Sequence, residues 1–511
     1  MEHIDQYIRA ILPALKDSML LKRTELSGIE IADGDYRCPG QFCADGFAFR
    51  KFETDETWGG ADRHFWFRAE VPENAGIPGK PLYLLVRTGA VDIWDTDNPQ
   101  IIGFLNGRRT ASMDMNHQDM LIEECCGGKP AEVAFYAYSN QARRSLHFYL
   151  EAVVPDSAVQ QLYYDVKVLF DACELLAEGD PEKIAGERAI YDALCLLDLR
   201  DTGSAAFRDS VELADRSLRE NYYDPRKEAP VTVHSIGYTH IDVAWKWPIR
   251  QTRQKAVRSY QTVLNLMKEY PEYRFSASTP ELYEFVREDA PDLFEEIRKK
   301  IQEGRWEAEG GMWLEPDCNL ISGESMVRQF LYGTRYFEKV LHAGKQEVLF
   351  LPDVFGYSAA LPQIMRGFGL SYFMTTKMGW NDSDKFPYDT FVWRGLDGSP
   401  VLTQLVTTRD YDPSEGHAGI RDRETTYNGR QNPDQLMGTW QRYQQKNLTA
   451  DLVTLYGFGD GGGGPTREML EQSRRMEHSI ARVPRVQQSS LREFFHQLEK
   501  GLDRRVVPEW D

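Results

Sequence analysis

Apolar positions along the chain change their period several times, and the changes divide it. At the N-terminus Ile4, Tyr7, Ile8, Ile11 and Leu12 recur at helical spacing, predicting one amphipathic helix with Pro13 near its end. From about residue 50 to 155 the texture turns to short aromatic and β-branched runs, HFWFRAEV, PLYLLVR, EVAFYAY and LHFYLEAVV, separated by Gly, Pro and Asn clusters. That is the pattern of an antiparallel sandwich. Helical spacing returns over residues 156–228 in VQQLYYDVKVLFDACELL and AIYDALCLLDL, and the polar, proline-bearing YYDPRKEAP then reads as a linker. An accessory region over residues 1–228 and a second domain over 229–511 are therefore expected.

In the second domain seven short strand-like runs, VTVHSIGY, YRFSAS, WEAEGG, EVLFL, SYFMTT, VLTQLV and LVTLYGF, alternate with helical patterns. RQTRQKAVRSYQTVLNLMKEY and GESMVRQFLYGTRYFEKVL are the strongest of these helices. Such alternation implies an α/β domain of parallel strands with crossover helices, either an open doubly wound sheet or a β/α barrel. In both architectures ligands gather beyond the carboxyl ends of the strands, which selects the polar residues worth weighing.

Composition narrows the partners. The 511 residues carry a formal charge of −19, which disfavours nucleic acid and anionic membranes and leaves a neutral ligand as the easier fit. No apolar run reaches the roughly 18 residues of a membrane span, and MEHIDQYIRAILPALK, with Glu2 and Asp5, does not read as a secretory signal. The seven cysteines, an odd and scattered set, then point to reduced thiols in a cytoplasm. Cys38 and Cys43 in CPGQFC have no second close pair to complete a zinc site.

Three strand ends deliver candidate chemistry. His240 and Asp242 follow VTVHSIGY, Asp353 follows EVLFLP, and Asp460 follows LVTLYGFG. Two residues apart in an extended segment, His240 and Asp242 share a face and suit a divalent metal such as zinc. The plainer reading is a loop histidine capped by its neighbour. Trp245 and Trp247 beside them are either core or a platform for a sugar ring. GFGDGGGGPT resembles a phosphate loop whose lysine is replaced by Pro465, so the glycines fit better as a close backbone approach to a ligand, with Asp460 facing the same cavity, or as a plain turn. Paired carboxylates are what glycoside hydrolysis requires, with Asp353 and Asp460 the pair by position. Glu315 and Asp317 in GGMWLEPDCNL compete, although SGES downstream suggests hydrogen bonding near a helix start. His-Glu-x-x-His, Gly-x-Ser-x-Gly and a dinucleotide fingerprint after a strand are all absent.

Taken in order, HSIGYTHIDVAWKWP, GGMWLEPDCNLISGESMVRQFLYG, FLPDVFGYSAALPQIM and GFGDGGGGPT resemble the α-mannosidases of glycoside hydrolase family 38, particularly the cytosolic-type branch. The resemblance covers residues 230–511, and the preceding region is similar to that branch's accessory region. It implies a seven-stranded β/α barrel and zinc-dependent, retaining cleavage of terminal α-mannosides on oligosaccharides. By motif, His240 and Asp242 match metal ligands, Asp353 the nucleophile that also binds the metal, Trp245 the aromatic residue lining the mannose site, and Asp460 the proton donor. Cobalt or manganese suits the same ligands.

One departure stands out. The family's fourth ligand is a histidine in a Phe-His-Asp-like segment after the barrel, and this chain ends at RRVVPEWD before it. His342, His417, His478 and His496 all lie outside the matching motif. The expectation is thus a chain cut before its last metal ligand, with an incomplete metal site. Two further readings stay open, a zinc-dependent carbohydrate deacetylase on a similar barrel and a non-catalytic carbohydrate-binding half-protein. Linkage specificity and homo-oligomer formation are not specified by the sequence.

Overall fold

The structure is a computed structural model and describes residues 2–35, 44, 46–90, 98–122, 131–141, 144–223, 229–381, 384–412 and 424–511. Cys38, Cys43 and His417 lie outside the described residues. The first helix runs Glu2–Asp17 with Pro13 inside it. Next come two antiparallel sheets packed face to face. One orders Leu20–Glu25, Tyr149–Pro155, Leu82–Arg87 and Asp119–Ile122; the other orders Arg50–Lys51, Glu30–Asp33, His64–Val71, Ala131–Tyr138, Gln100–Leu105 and Arg108–Met113. Alternate residues of both sheets, among them Phe67, Leu84, Phe135 and Leu150, fill the space between, and Phe67 stacks on Phe148 with ring centres 3.9 Å apart. Strands Leu20–Glu25 and Glu30–Asp33 belong to these sheets although they precede residue 50. LLKRTE and EIAD are too polar and too short to show a strand period.

Helices Ser157–Glu174, Pro181–Leu194 and Ala205–Asn221 follow, with N-caps at Asp156, Asp180 and Ser204 whose side chains accept backbone N–H bonds. Their apolar faces join the first helix and Val231, Val233, Leu452 and Met476 in one core, so the helical layer packs directly on the second domain.

All seven strand-like segments of the second domain are strands: Thr232–Gly237, Phe275–Ala277, Trp306–Ala308, Val348–Phe350, Tyr372–Thr375, Pro400–Leu405 and Asp451–Tyr456. They form two blocks with parallel pairing. In the first, Thr232–Gly237 lies between Asp451–Tyr456 and Phe275–Ala277, with Trp306–Ala308 beyond. In the second, Tyr372–Thr375 lies between Val348–Phe350 and Pro400–Leu405. The blocks touch at two seams. Phe350 N–H reaches Gly310 O at 3.4 Å, and the Thr408 and Thr454 hydroxyls meet at 2.7 Å. An antiparallel strand, Thr390–Arg394, adds to Pro400–Leu405. The architecture is mixed α/β, with the ladder divided between two sheets.

Crossover helices bury these strands. Ile249–Glu269 turns Ala256, Val257, Tyr260, Val263, Leu264 and Met267 into the core, at the spacing of one helical face. Its other face carries Gln251, Lys255, Arg258, Gln261 and Thr262, which are also buried. The sandwich covers them: Asn265 donates to Thr110 O at 2.8 Å and Arg109 to Gln261 at 3.1 Å.

Candidate active site

The first strand ends at Gly237 and delivers Tyr238, His240 and Asp242 within five residues. His240 is buried, and its two ring nitrogens face different surroundings. Nδ1 lies 3.5 Å from Glu315 Oε1 and 3.3 Å from the Tyr238 hydroxyl, while Nε2 lies 3.6 Å from Asp242 Oδ1 and 3.5 Å from Asp353 Oδ2. Tyr238 donates to Glu315 at 3.3 Å, and Glu315 also accepts from Asp353 N–H at 3.5 Å. Burial opposes a charge on His240, but Glu315, Tyr238, Asp242 and Asp353 outweigh it and lift the imidazole well above its ordinary value.

Asp353 follows the Val348–Phe350 strand. Its Oδ1 lies 3.2 Å from Lys377 Nζ, and Lys377 in turn rests 3.6 Å from the centre of the Trp380 ring and 5.1 Å from those of Phe355 and Tyr427. Burial works against ionisation of Asp353, yet His240 and Lys377 hold its carboxyl below the usual range. Asp460 caps the last strand on a tight loop, in the left-handed region at φ 55°. It accepts from Tyr427 at 3.0 Å and from Asn428 at 3.4 Å, and the Tyr427 ring lies 4.9 Å from the His240 ring. Asp460 shifts the opposite way from Asp353: burial pushes its carboxyl upward, and His240 and Tyr427 do not reverse it.

The structure thus brings together His240, Asp242, Asp353 and Asp460. Single donor atoms of His240, Asp242 and Asp460 lie within 4.8 Å of one another, and Asp353 joins through His240. Asp242 Oδ2 is buried without a hydrogen-bond partner, an expensive state for a carboxylate oxygen that a cation would relieve. This donor set of imidazole and carboxylates fits a divalent metal.

Trp245 is 52% exposed just beyond Asp242, edge-on to the buried Trp247 at 5.9 Å. Asp317 is exposed and accepts from Asn319 N–H at 2.9 Å, away from the cluster, and Ser322 rather than a carboxylate caps helix Gly323–Lys339. His342, His478 and His496 are exposed, the last 2.7 Å from Glu347. Lys377, Tyr427 and Asn428 were not singled out in the sequence. TTKMGW begins at a strand's carboxyl end, a signal that could have marked Lys377; Tyr427 and Asn428 have no strand before them and reach the site through Gly429, which bridges to Tyr456.

Residues gathered at the carboxyl ends of parallel strands, a histidine among carboxylates, define an α/β site whose donors could hold a metal ion. Comparison with known families matches residues 230–511 to the glycosyl hydrolases family 38 N-terminal domain. The chain belongs to glycoside hydrolase family 38. It is 30% identical over 469 residues to alpha-mannosidase G of Dictyostelium discoideum, covering 88% of this chain and 40% of that protein. Alpha-mannosidase of Saccharomyces cerevisiae is 35% identical over 375 residues, covering 70% and 33%, and alpha-mannosidase 2C1 of Homo sapiens is 31% identical over 469 residues, covering 89% and 43%. The chain therefore spans well under half the length of these relatives. Among the described residues no helix is long and apolar enough to cross a membrane.

Proposed function

We propose that this chain carries the catalytic site of a retaining α-mannosidase acting on terminal α-mannosides of oligosaccharides in the cytoplasm. The observation that carries the reading is the convergence of Asp353 and Asp460 with His240 and Asp242 in a chain whose relatives are named alpha-mannosidases. We read the two parallel blocks as one seven-stranded β/α barrel opened at two seams, with residues 1–228 as its accessory region.

Asp353, kept ionised by His240 and Lys377, attacks the anomeric carbon and forms a glycosyl ester. Asp460, biased towards its neutral form by burial and held by Tyr427 and Asn428, gives its proton to the departing glycosidic oxygen. In the second half it takes a proton from the water that cleaves the ester. His240 through Nε2, Asp242 and Asp353 would hold a divalent ion, zinc in the first instance. When bound, such an ion supplies a Lewis-acid contact to neighbouring sugar hydroxyls. Glu315 fixes the ring of His240, and Trp245 offers an exposed aromatic edge to the mannose.

A fluorinated mannosyl donor tests the reading. A covalent adduct on the peptide containing Asp353, together with turnover of a nitrophenyl α-mannoside that D353N lowers by several orders of magnitude, is expected. Turnover without an adduct, or an adduct on Glu315, would reassign the nucleophile.

A further inference from the structure

The loop that bears Asp460 is held from two sides. Phe458 and Gly464 close it by exchanging backbone hydrogen bonds at 3.0 and 2.8 Å, Gly462 N–H donates to Gly459 O at 2.8 Å, and Asn428 receives Gly459 N–H at 2.9 Å. Those contacts lie within the second domain. The opposite side is gripped by the N-terminal sandwich. Asp114 to His117 form the turn that carries the chain from one sheet, after Arg108–Met113, to the other, before Asp119–Ile122.

In this turn Asp114 Oδ1 accepts the backbone N–H groups of Asn116 and His117 at 2.8 and 2.9 Å and lies 3.0 Å from His117 Nδ1. The turn presents two donors to the loop: Asn116 Nδ2 reaches Gly462 O at 3.1 Å and His117 Nε2 lies 2.8 Å from Pro465 O. With an acceptor at each ring nitrogen, His117 satisfies both contacts only by donating from both. The fit is close. Gly463 has φ 89°, and a Cβ there would stand 2.6 Å from Asp114 Oδ2 and from His117 Nδ1. Glycine at 463 is thus needed both for its backbone conformation and for the approach of the N-terminal sandwich.

We propose that Asn116 and His117 are positioning residues for Asp460, so that the N-terminal sandwich, outside the matched family domain, is a working part of the active site. They touch no substrate; they act by holding the carbonyls of Gly462 and Pro465 and with them the loop geometry that aims the Asp460 carboxyl. A loop with four consecutive glycines loses more conformational entropy on ordering than any other composition, so fixed outside contacts are the means of keeping it in one state. The assignment of a task to Asp460 rests on the function proposed above; the clamp itself does not.

The test uses the full chain, together with any downstream polypeptide that its activity requires. N116A removes one contact and H117A the other, with melting temperature and far-ultraviolet circular dichroism as folding checks; N116A keeps the test open if H117A does not fold. Hydrogen exchange by mass spectrometry is read over residues 458–465. Expected is exchange at least about tenfold faster there in N116A, with residues 232–237 unchanged. For a mannoside with a poor leaving group kcat/KM should fall about 10- to 100-fold while kcat/KM for an activated aryl mannoside stays within about twofold, because kcat/KM reports the first step, in which only the poor leaving group needs the proton. Unchanged exchange over the loop in a folded N116A overturns the clamp. Faster exchange with equal slowing of both substrates overturns the aiming of Asp460. If the wild type turned over no mannoside, the functional reading would fail while the exchange contrast still decided the clamp.

Discussion

Glu315 stands 3.5 Å from Nδ1 of His240, on the side of the ring opposite Asp242 and Asp353. A carboxylate there fixes the tautomer that leaves Nε2 as the free donor and raises its basicity, the arrangement that tunes histidine ligands in metal sites. E315A should therefore weaken zinc binding by about 10- to 100-fold, measured by competition with a chelating dye. Affinity within twofold of wild type would leave Glu315 with only its contacts to Tyr238 and the Asp353 backbone.

Lys377 is nearly buried beside Asp353 and among three aromatic rings. Removing its charge while keeping its length should cost catalysis without emptying the cation site. For K377M we expect kcat/KM on a nitrophenyl α-mannoside to fall about 10- to 100-fold, with K377R recovering part of the loss. A drop in zinc affinity of the same size would instead make Lys377 part of the cation site's architecture.

Asp460→Ala should slow poor leaving groups by at least about 100-fold and activated aryl mannosides far less, because only the former need a proton to depart. A series of aryl mannosides spanning leaving-group acidity reads the difference as the slope of log kcat/KM. Equal slowing across the series would make Asp460 a hydroxyl-binding or cation-binding group.

A pH effect on stability is expected far from the site. Asp165, on helix Ser157–Glu174, is buried with Arg475 at 2.7 Å and Arg219 at 2.7 Å, and burial pushes its carboxyl up to about 6 despite both arginines. A folded-state value above the unfolded one means the native protein holds this proton more tightly. Its contribution is full below about pH 4 and is lost as pH rises through about 6, a change of order 3 kcal/mol. D165N removes the titration. The melting temperature of wild type relative to D165N should thus fall between pH 4.5 and 6.5 and stay level above; a constant difference would show that Asp165 titrates alike in both states.

Much of this site was legible before the fold. The seven strand-like runs alternate with helical patterns, and His240 and Asp242, Asp353 and Asp460 follow the runs VTVHSIGY, EVLFL and LVTLYGF, so they could be placed at one end of the domain by counting. The residues that set their environment were not legible. Glu315 looked like a competitor for catalysis because a sequence does not show that Nδ1 of a histidine will face it. Lys377, Tyr427 and Asn428 lie in segments whose direction is decided only by packing, and the buried polar face of Ile249–Glu269 looks like a solvent face because what covers it is an entirely separate domain. The early sandwich strands escaped for a related reason: their stability comes from cross-strand partners far along the chain, such as Lys22 opposite Val154, not from their own pattern.

The pairing of Thr232–Gly237 with Asp451–Tyr456 has a consequence during synthesis. The strand that supplies His240 leaves the ribosome about 220 residues before this one of its parallel neighbours, which at about 5–20 residues per second is a wait of roughly 10 to 45 s. Through that interval a strand with five of its six residues destined for burial has an open edge, the kind of surface that chaperones and self-association compete for. Yield from cells should therefore respond to translation speed and to holdase supply more than the finished protein's thermal stability would suggest.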